Sequence, residues 1–265
     1  MYSLSKFANR TGPIGKPLPP VFDGFNDRRI TFRQGATSMI AGHPGSFKSV
    51  LALNMMVLWA RQGISCVYFS ADSDEYTVAR RVIGILTNQQ AEIVENTITN
   101  GHADLYIPQL RELKDTRFVY QNLDLNGITN NLHAYEAVYG AYPDVVFLDN
   151  LMNYVDSAGE WEQMRTMTRD LDIMAREMKS HICILHHTSE GVSSASPPPR
   201  SAIQGKISQI PRLVLTVAAV GLCQMIACVK NTNGPQDATG RNYMNFMVRD
   251  SYRIDDISRR EEFLR

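Results

Sequence analysis

The feature that most constrains this chain is the loop Gly42-His43-Pro44-Gly45-Ser46-Phe47-Lys48-Ser49, set between two apolar segments. Before it runs ATSMIAG, a short apolar strand. After it runs SVLALNMMVLWARQG, apolar nearly all round, which predicts a buried helix closed by Gly63. A glycine-rich turn from strand to helix wraps backbone N–H groups around an anion at a helix N-terminus, where the dipole also favours negative charge. In that arrangement Gly42 to Val50 line a phosphate chain, Lys48 reaches its outer phosphates and the Ser49 hydroxyl ligates Mg2+. One position departs from the usual pattern. Phe47 stands where a glycine normally precedes the lysine, and Gly45 is expected to supply the missing flexibility.

A second element follows farther along. Asp144-Val145-Val146-Phe147-Leu148-Asp149 is an apolar strand ending in an acid. Ligands of open α/β sheets collect at the carboxyl ends of strands, so Asp149 is placed to hold the magnesium shell.

The remaining chain alternates strand and helix patterns: ISCVYFS, DEYTVARRVIGILTN, TRFVYQN, NGITNNLHAYEAVYGAY, WEQMRTMTRDLDIMAREMKS and HICILHH. That order predicts an α/β fold, a mostly parallel sheet with helices on both faces. The WEQM helix carries Met164, Met167, Leu171, Met174 and Met178 on one face. RLVLTVAAV, LCQMIACVK and NYMNFMVRD read as strands that extend one edge antiparallel, with NGPQDATG turning between the last two. Residues 1–28 are Pro- and Gly-rich and predict an extended arm, leaving 29–265 as one domain. Residues 90–115 are polar and carry no clear period, and 188–206 read as a long polar loop.

Bulk properties narrow the function. Lys plus Arg equals Asp plus Glu at 27 each, so nucleic-acid binding would need a local basic patch or several subunits together. Cys66, Cys183, Cys223 and Cys228 sit in apolar runs without a CxxC spacing, which predicts buried reduced thiols rather than a zinc ribbon. No stretch reaches the ~20 apolar residues of a membrane span, so the chain is expected to be soluble and cytoplasmic.

On these residues the chain resembles the RecA/DnaB superfamily of P-loop ATPases, above all the small DnaB-like ATPases of bacteriophages, over about Phe22 to Asp250. The phosphate loop resembles the family's Walker A. YFSADSDEYTVARRV resembles the stretch that carries the catalytic carboxylate, which falls on Asp72, with Asp74 and Glu75 beside it; the same acids could simply cap the next helix. ICILHHTSEG resembles the strand whose last polar side chain reports on the γ-phosphate, a role for His186 or His187, with His186 taken as the candidate. A His pair could also bind metal, but no third ligand stands at a suitable spacing. VKNTNGPQDATG resembles the subunit-interface turn that reaches a neighbour's nucleotide. Lys230 matches its lysine, Thr232 stands in place of its arginine, and Arg241 is the possible substitute.

The resemblance implies ATP and Mg2+ as cofactors and a homo-oligomeric ring, a hexamer by default, in the bacterial host's cytoplasm. It implies DNA, single-stranded or branched, threaded past loops near 151–161 and 188–206, with Arg200, Lys206 and Arg212 as its contacts. The readings left open are a helicase-like motor, a recombinase-like or annealing ATPase, a structure-specific nuclease using Asp72, Asp74, Glu75 and Asp149, and a non-hydrolysing scaffold.

Overall fold

The computed structural model describes residues 15–155, 160–189 and 193–257. Expectations for residues 1–14, for 156–159 of the first loop and for 190–192 of the second lie outside that range.

The strands are β1 (Ala36–Gly42), β2 (Cys66–Ser70), β3 (Thr116–Val119), β4 (Val145–Asp149), β5 (His181–His187), β6 (Leu213–Val220), β7 (Cys223–Asn231), β8 (Tyr243–Val248) and β9 (Ile254–Asp256). They form one sheet in the order β3-β2-β4-β5-β1-β6-β7-β8-β9. Pairing is parallel from β3 to β6 and antiparallel from β6 to β9. This is the expected α/β architecture with its antiparallel edge. The helices are α1 (Asp23–Asp27), α2 (Lys48–Arg61), α3 (Glu75–Thr87), α4 (Ala91–Thr99), α5 (Ile107–Leu110), α6 (Leu125–Tyr139) and α7 (Glu160–Met178).

Strand side chains alternate between the two faces, and here both faces are apolar, as in a sheet covered on each side by helices. Ile40, Tyr68, Phe147, Cys183, Leu185 and Leu215 pack with Leu51, Met55 and Trp59 of α2 and Val82 of α3. Met39, Ala41, Phe69, Leu148 and Ile184 pack on the other side with Leu132 of α6 and Met164, Leu171 and Met174 of α7. The phosphate-loop helix therefore belongs to one layer, and α6 and α7 to the other.

Local signals set the helix ends. Asp74 and Asp124 cap α3 and α6, each accepting from the backbone N–H three residues on. Gly140 ends α6 at φ 77°, and Gly63 at φ 77° follows α2 as expected.

Three stretches differ from the sequence expectation. Within residues 1–28, Leu18, Phe22 and Phe25 are buried in the α2-side core, and Phe22 and Phe25 meet Phe246 of β8 edge-on. An apolar residue every few positions was enough to dock this stretch despite its prolines. Residues 90–115 form α4, α5 and short 3₁₀ turns, pinned where Tyr106 donates to Gln89 and where the backbone N–H of Ala91 donates to the Asp250 carbonyl. Strand β9 has no apolar run to announce it; pairing with β8 makes it a strand. No described helix is long and apolar enough to cross a membrane.

Candidate nucleotide-binding site

The carboxyl ends of β1, β2, β4 and β5 converge on the loop between β1 and α2. Gly42 closes β1, and a Cβ there would lie 2.4 Å from the Val217 carbonyl and 2.7 Å from Ser46 Oγ, so only glycine fits. Pro44 and Gly45 form the exposed tip, Gly45 at φ 77°. Ser46 Oγ and Ser46 N–H both donate back to the His43 carbonyl, which tightens the turn. His43 itself is buried. Phe47 adopts φ 62°, ψ 29°, the left-handed conformation that a glycine takes without strain. Two residues therefore supply the left-handed turns, Gly45 as expected and Phe47 unexpectedly.

Lys48 is 6% exposed, and its ammonium donates to the Gly42 carbonyl at 3.0 Å and the His43 carbonyl at 2.8 Å. It also meets His187 Nδ1 at 3.3 Å. Burial lowers its pKa to about 8, although the negative charges of Asp149 and Asp72 pull the other way. Val50 is buried one turn into α2. Ser49 lies within hydrogen-bonding reach of the Asp149 carboxylate. Asp149 is 2% exposed and accepts from the Tyr68 hydroxyl at 2.7 Å. Burial raises its pKa, while the Ser49 and Tyr68 hydrogen bonds and Lys48 oppose the rise.

Asp72 is exposed at the mouth of the site, and its charge is felt by both Lys48 and Asp149. Its neighbour Asp74 is the helix cap instead, with Oδ1 accepting from Thr77 N–H at 2.8 Å and Oδ2 from the Thr77 hydroxyl. The capping alternative holds for Asp74, and the acids divide between two jobs. Among the described residues no group of three or more His, Cys, Asp and Glu is arranged to hold a metal ion.

The His pair separates by the pleat. His187 lies beside Lys48, with Nε2 2.9 Å from Asn150 Nδ2, and burial lowers its pKa. His186 alternates with it and so belongs to the α7 layer, with Ile182 and Ile184. It is buried, both ring nitrogens lack partners among the described residues, and burial pushes its pKa to about 3. Of the two, His187 is the one beside Lys48, because a one-residue step on a strand reverses the face.

Lys230 and Arg241 lie away from this loop. Lys230 pairs with Val214 in a register level with Met39, three residues before Gly42 and so roughly 10 Å down the sheet. Its ammonium donates to the Ser208 and Gln209 carbonyls of its own chain. Burial and nearby Arg200 lower its pKa to about 8. Arg241 instead joins Arg200 and Lys206 in lining a cleft of about 610 Å3 with Ser201, Ser208 and Thr239, and among the described residues no carboxylate lines it. Asp237, its pKa lowered to about 2 by Thr239 and the Asn242 N–H, holds the turn that presents Arg241. Lys206 sits at φ 56° directly after Gly205 at φ 68°. Arg212 is exposed outside this cleft, at the start of β6, where its carbonyl accepts from Thr232. Residues expected to serve two ligands thus share one basic cleft, and Arg212 is not part of it.

Sequence reasoning missed Tyr68 and Gln224. Both stand inside apolar strand patterns, where a single polar atom leaves no trace in the periodicity.

A parallel sheet with a phosphate loop after β1 and an acid ending β4 is the RecA/DnaB type of P-loop ATPase fold. A family model described as an AAA domain matches residues 24–192, and the chain belongs to that family. Two phage proteins resemble it in sequence. The gene 65 protein of Mycobacterium phage L5 is 27% identical over 97% of this chain and 99% of its own length. The gene 65 protein of phage D29 is 27% identical over 83% of this chain and 98% of its own. Among solved structures, an isolated ATPase domain superposes with TM-score 0.74 at 14% identity, covering 94% of both chains. A DnaB-like replicative helicase solved for its interactions with primase gives TM-score 0.77 at 14% identity, covering 94% of this chain and 65% of that one. A KaiC-like protein from Pyrococcus horikoshii gives 0.64 at 12% identity, covering 90% of this chain and 97% of that one.

Proposed function

We propose that this chain is an ATP- and Mg2+-dependent ATPase that acts on DNA during phage replication or recombination, as a ring or filament of copies. The observation that carries the reading is the convergence of the Lys48 ammonium, the Ser49 hydroxyl and the Asp149 carboxylate at the carboxyl ends of β1 and β4. The donor set suits the cofactors. Ser49 and Asp149 offer the hard oxygens that Mg2+ prefers, and the loop N–H groups with Lys48 suit a polyphosphate.

Mg2+, held through Ser49 and Asp149, would neutralise phosphate charge. Tyr68 keeps the Asp149 carboxylate oriented by its hydrogen bond. Lys48 would turn from the Gly42 and His43 carbonyls to the phosphates, a short swing within its own loop. Asp72, exposed and with its charge felt by Lys48 and Asp149, would orient a water molecule for attack. His187, beside Lys48, would sense the outer phosphate, and Asn150 after β4 would carry that signal toward the following loop. Lys230 lies about 10 Å down the sheet from the loop, and Arg241 lines the basic cleft, which fits a role for both across a subunit boundary or on DNA. The basic cleft of Arg200, Lys206 and Arg241 offers backbone contacts without base reading.

The test is ATP hydrolysis by the purified protein with Mg2+, with and without single-stranded DNA, beside Lys48→Ala. Turnover stimulated by DNA and absent from the variant is expected. A wild-type protein that neither binds nor hydrolyses ATP would sink the proposal. Strand displacement set against strand pairing would then separate a helicase-like from a recombinase-like ATPase.

A further inference from the structure

A loop that aims its N–H groups at an anion must turn its carbonyls the other way. Here those carbonyls point into the protein, and buried carbonyls need donors. The Phe47 carbonyl accepts from the Leu51 N–H of the helix at 2.9 Å, and one side chain reaches both it and the Ser46 carbonyl. Gln224 on β7 is 0% exposed, and its Nε2 donates to the Ser46 carbonyl at 2.9 Å and the Phe47 carbonyl at 3.1 Å. The amide orientation follows from chemistry, because the reverse placement would set Gln224 Oε1 against two carbonyl oxygens. Its Oε1 has no partner among the described residues.

The two carbonyls are those on either side of the Phe47 α-carbon. Phe47 is the loop's left-handed non-glycine residue, and no side chain caps the helix it begins. A glycine there would adopt this conformation freely, whereas a residue with a Cβ resists it. The Phe47 ring packs against the α2-side core, which holds the side chain but not the orientation of its peptides.

We infer that Gln224 is a positioning residue that holds the Ser46–Phe47 peptide in the phosphate-binding orientation and, together with the Leu51 N–H, fixes the Phe47 carbonyl, replacing the conformational freedom of the absent glycine. The inference rests on the nucleotide reading above. It links the antiparallel edge of the sheet to the phosphate loop through one amide. The two halves of the device are coupled: Phe47 makes Gln224 necessary, and a glycine at 47 would make it dispensable.

A double-mutant cycle on the full chain tests this. The readouts are the Kd for a fluorescent ATP analogue with Mg2+, kcat at saturating ATP, and thermal stability without nucleotide. Gln224→Leu is expected to weaken binding about tenfold, with kcat at saturation within about twofold of wild type. Phe47→Gly serves as the second background, and adding Gln224→Leu to it should cost less than about threefold relative to Phe47→Gly alone. If Gln224→Leu does not fold, Gln224→Met in both backgrounds carries the same comparison. Unchanged affinity in the single Gln224 variant, or an equal loss in both backgrounds, would overturn the role and leave Gln224 a buried structural amide. A wild-type chain that binds no nucleotide overturns the functional reading, and this role with it.

Discussion

The phosphate loop and the basic cleft hold this chain's most informative cations in opposite states. Lys48 is buried among its own carbonyls and two acids. Arg200, Lys206 and Arg241 line an open cleft with no carboxylate among the described residues. A buried ammonium loses hydration and needs partners held in place, and Lys48 finds them in the carbonyls of its own loop. Cations left open at a surface keep their hydration and act through summed charge, which salt screens. The contrast predicts that the loop answers to single substitutions and pH, and the cleft to ionic strength.

The largest effect is expected from Lys48→Ala, which should lower nucleotide affinity and turnover by at least about a hundredfold. Folding stability should change far less, because a buried cation carries a desolvation cost. A collapse in thermal stability alongside the loss would break the comparison, by making Lys48 structural.

pH comes next. Burial lowers the Lys48 pKa to about 8, so above that value the free protein progressively loses the charge that phosphates seek. Nucleotide Kd should rise with pH, approaching tenfold per unit, from about 8 toward about 9.5. The stability sign is opposite. The unfolded chain holds this proton up to the ordinary lysine range, so Lys48 destabilises the fold below about 8 and that penalty fades as pH climbs. A Kd flat across this window would remove the burial argument.

Tyr68→Phe deletes one hydrogen bond to a buried carboxylate. A loss of about 1.5–3 kcal/mol in Mg2+-dependent binding or stability is expected, read from Mg2+ titration and thermal melts.

Arg200→Ala and Arg241→Ala should each weaken single-stranded DNA binding several-fold and reduce its salt slope by about 1. ATP affinity of the isolated protomer should not move. If Arg241→Ala instead removes turnover while leaving DNA affinity intact, Arg241 serves a neighbour's nucleotide and the cleft divides between two ligands.

The smallest effect belongs to Glu112→Ala, which breaks a surface ion pair with Arg61 and should cost less than about 1 kcal/mol in a melt.

How much of this was legible in the sequence follows from the range of the interactions. The phosphate loop, the two flanking elements and Asp149 are written in contiguous residues, because a strand, a tight turn and a helix each declare themselves by period and by glycine. Phe47 looked like a defect in that pattern. It proved to be a phenylalanine in a glycine's conformation, which a one-dimensional pattern cannot express. Asp72 and Asp74 stand two positions apart with the same chemistry, and only the turn before α3 directs Asp74 to Thr77. His186 and His187 were equivalent on paper, and the sheet's pleat sent one to Lys48 and the other into the α7 layer.

The sequence by itself determined the class of fold and the place where phosphate would sit, since both depend on local periodicity and backbone freedom. Only the tertiary structure decided which side chains complete that place. Tyr68, His187 and Gln224 reach it from other strands, with Gln224 177 to 178 residues from the carbonyls it holds. It likewise decided that Arg200, Lys206 and Arg241 share one cleft. Register and strand order set these meetings, and they are properties of the packed sheet as a whole.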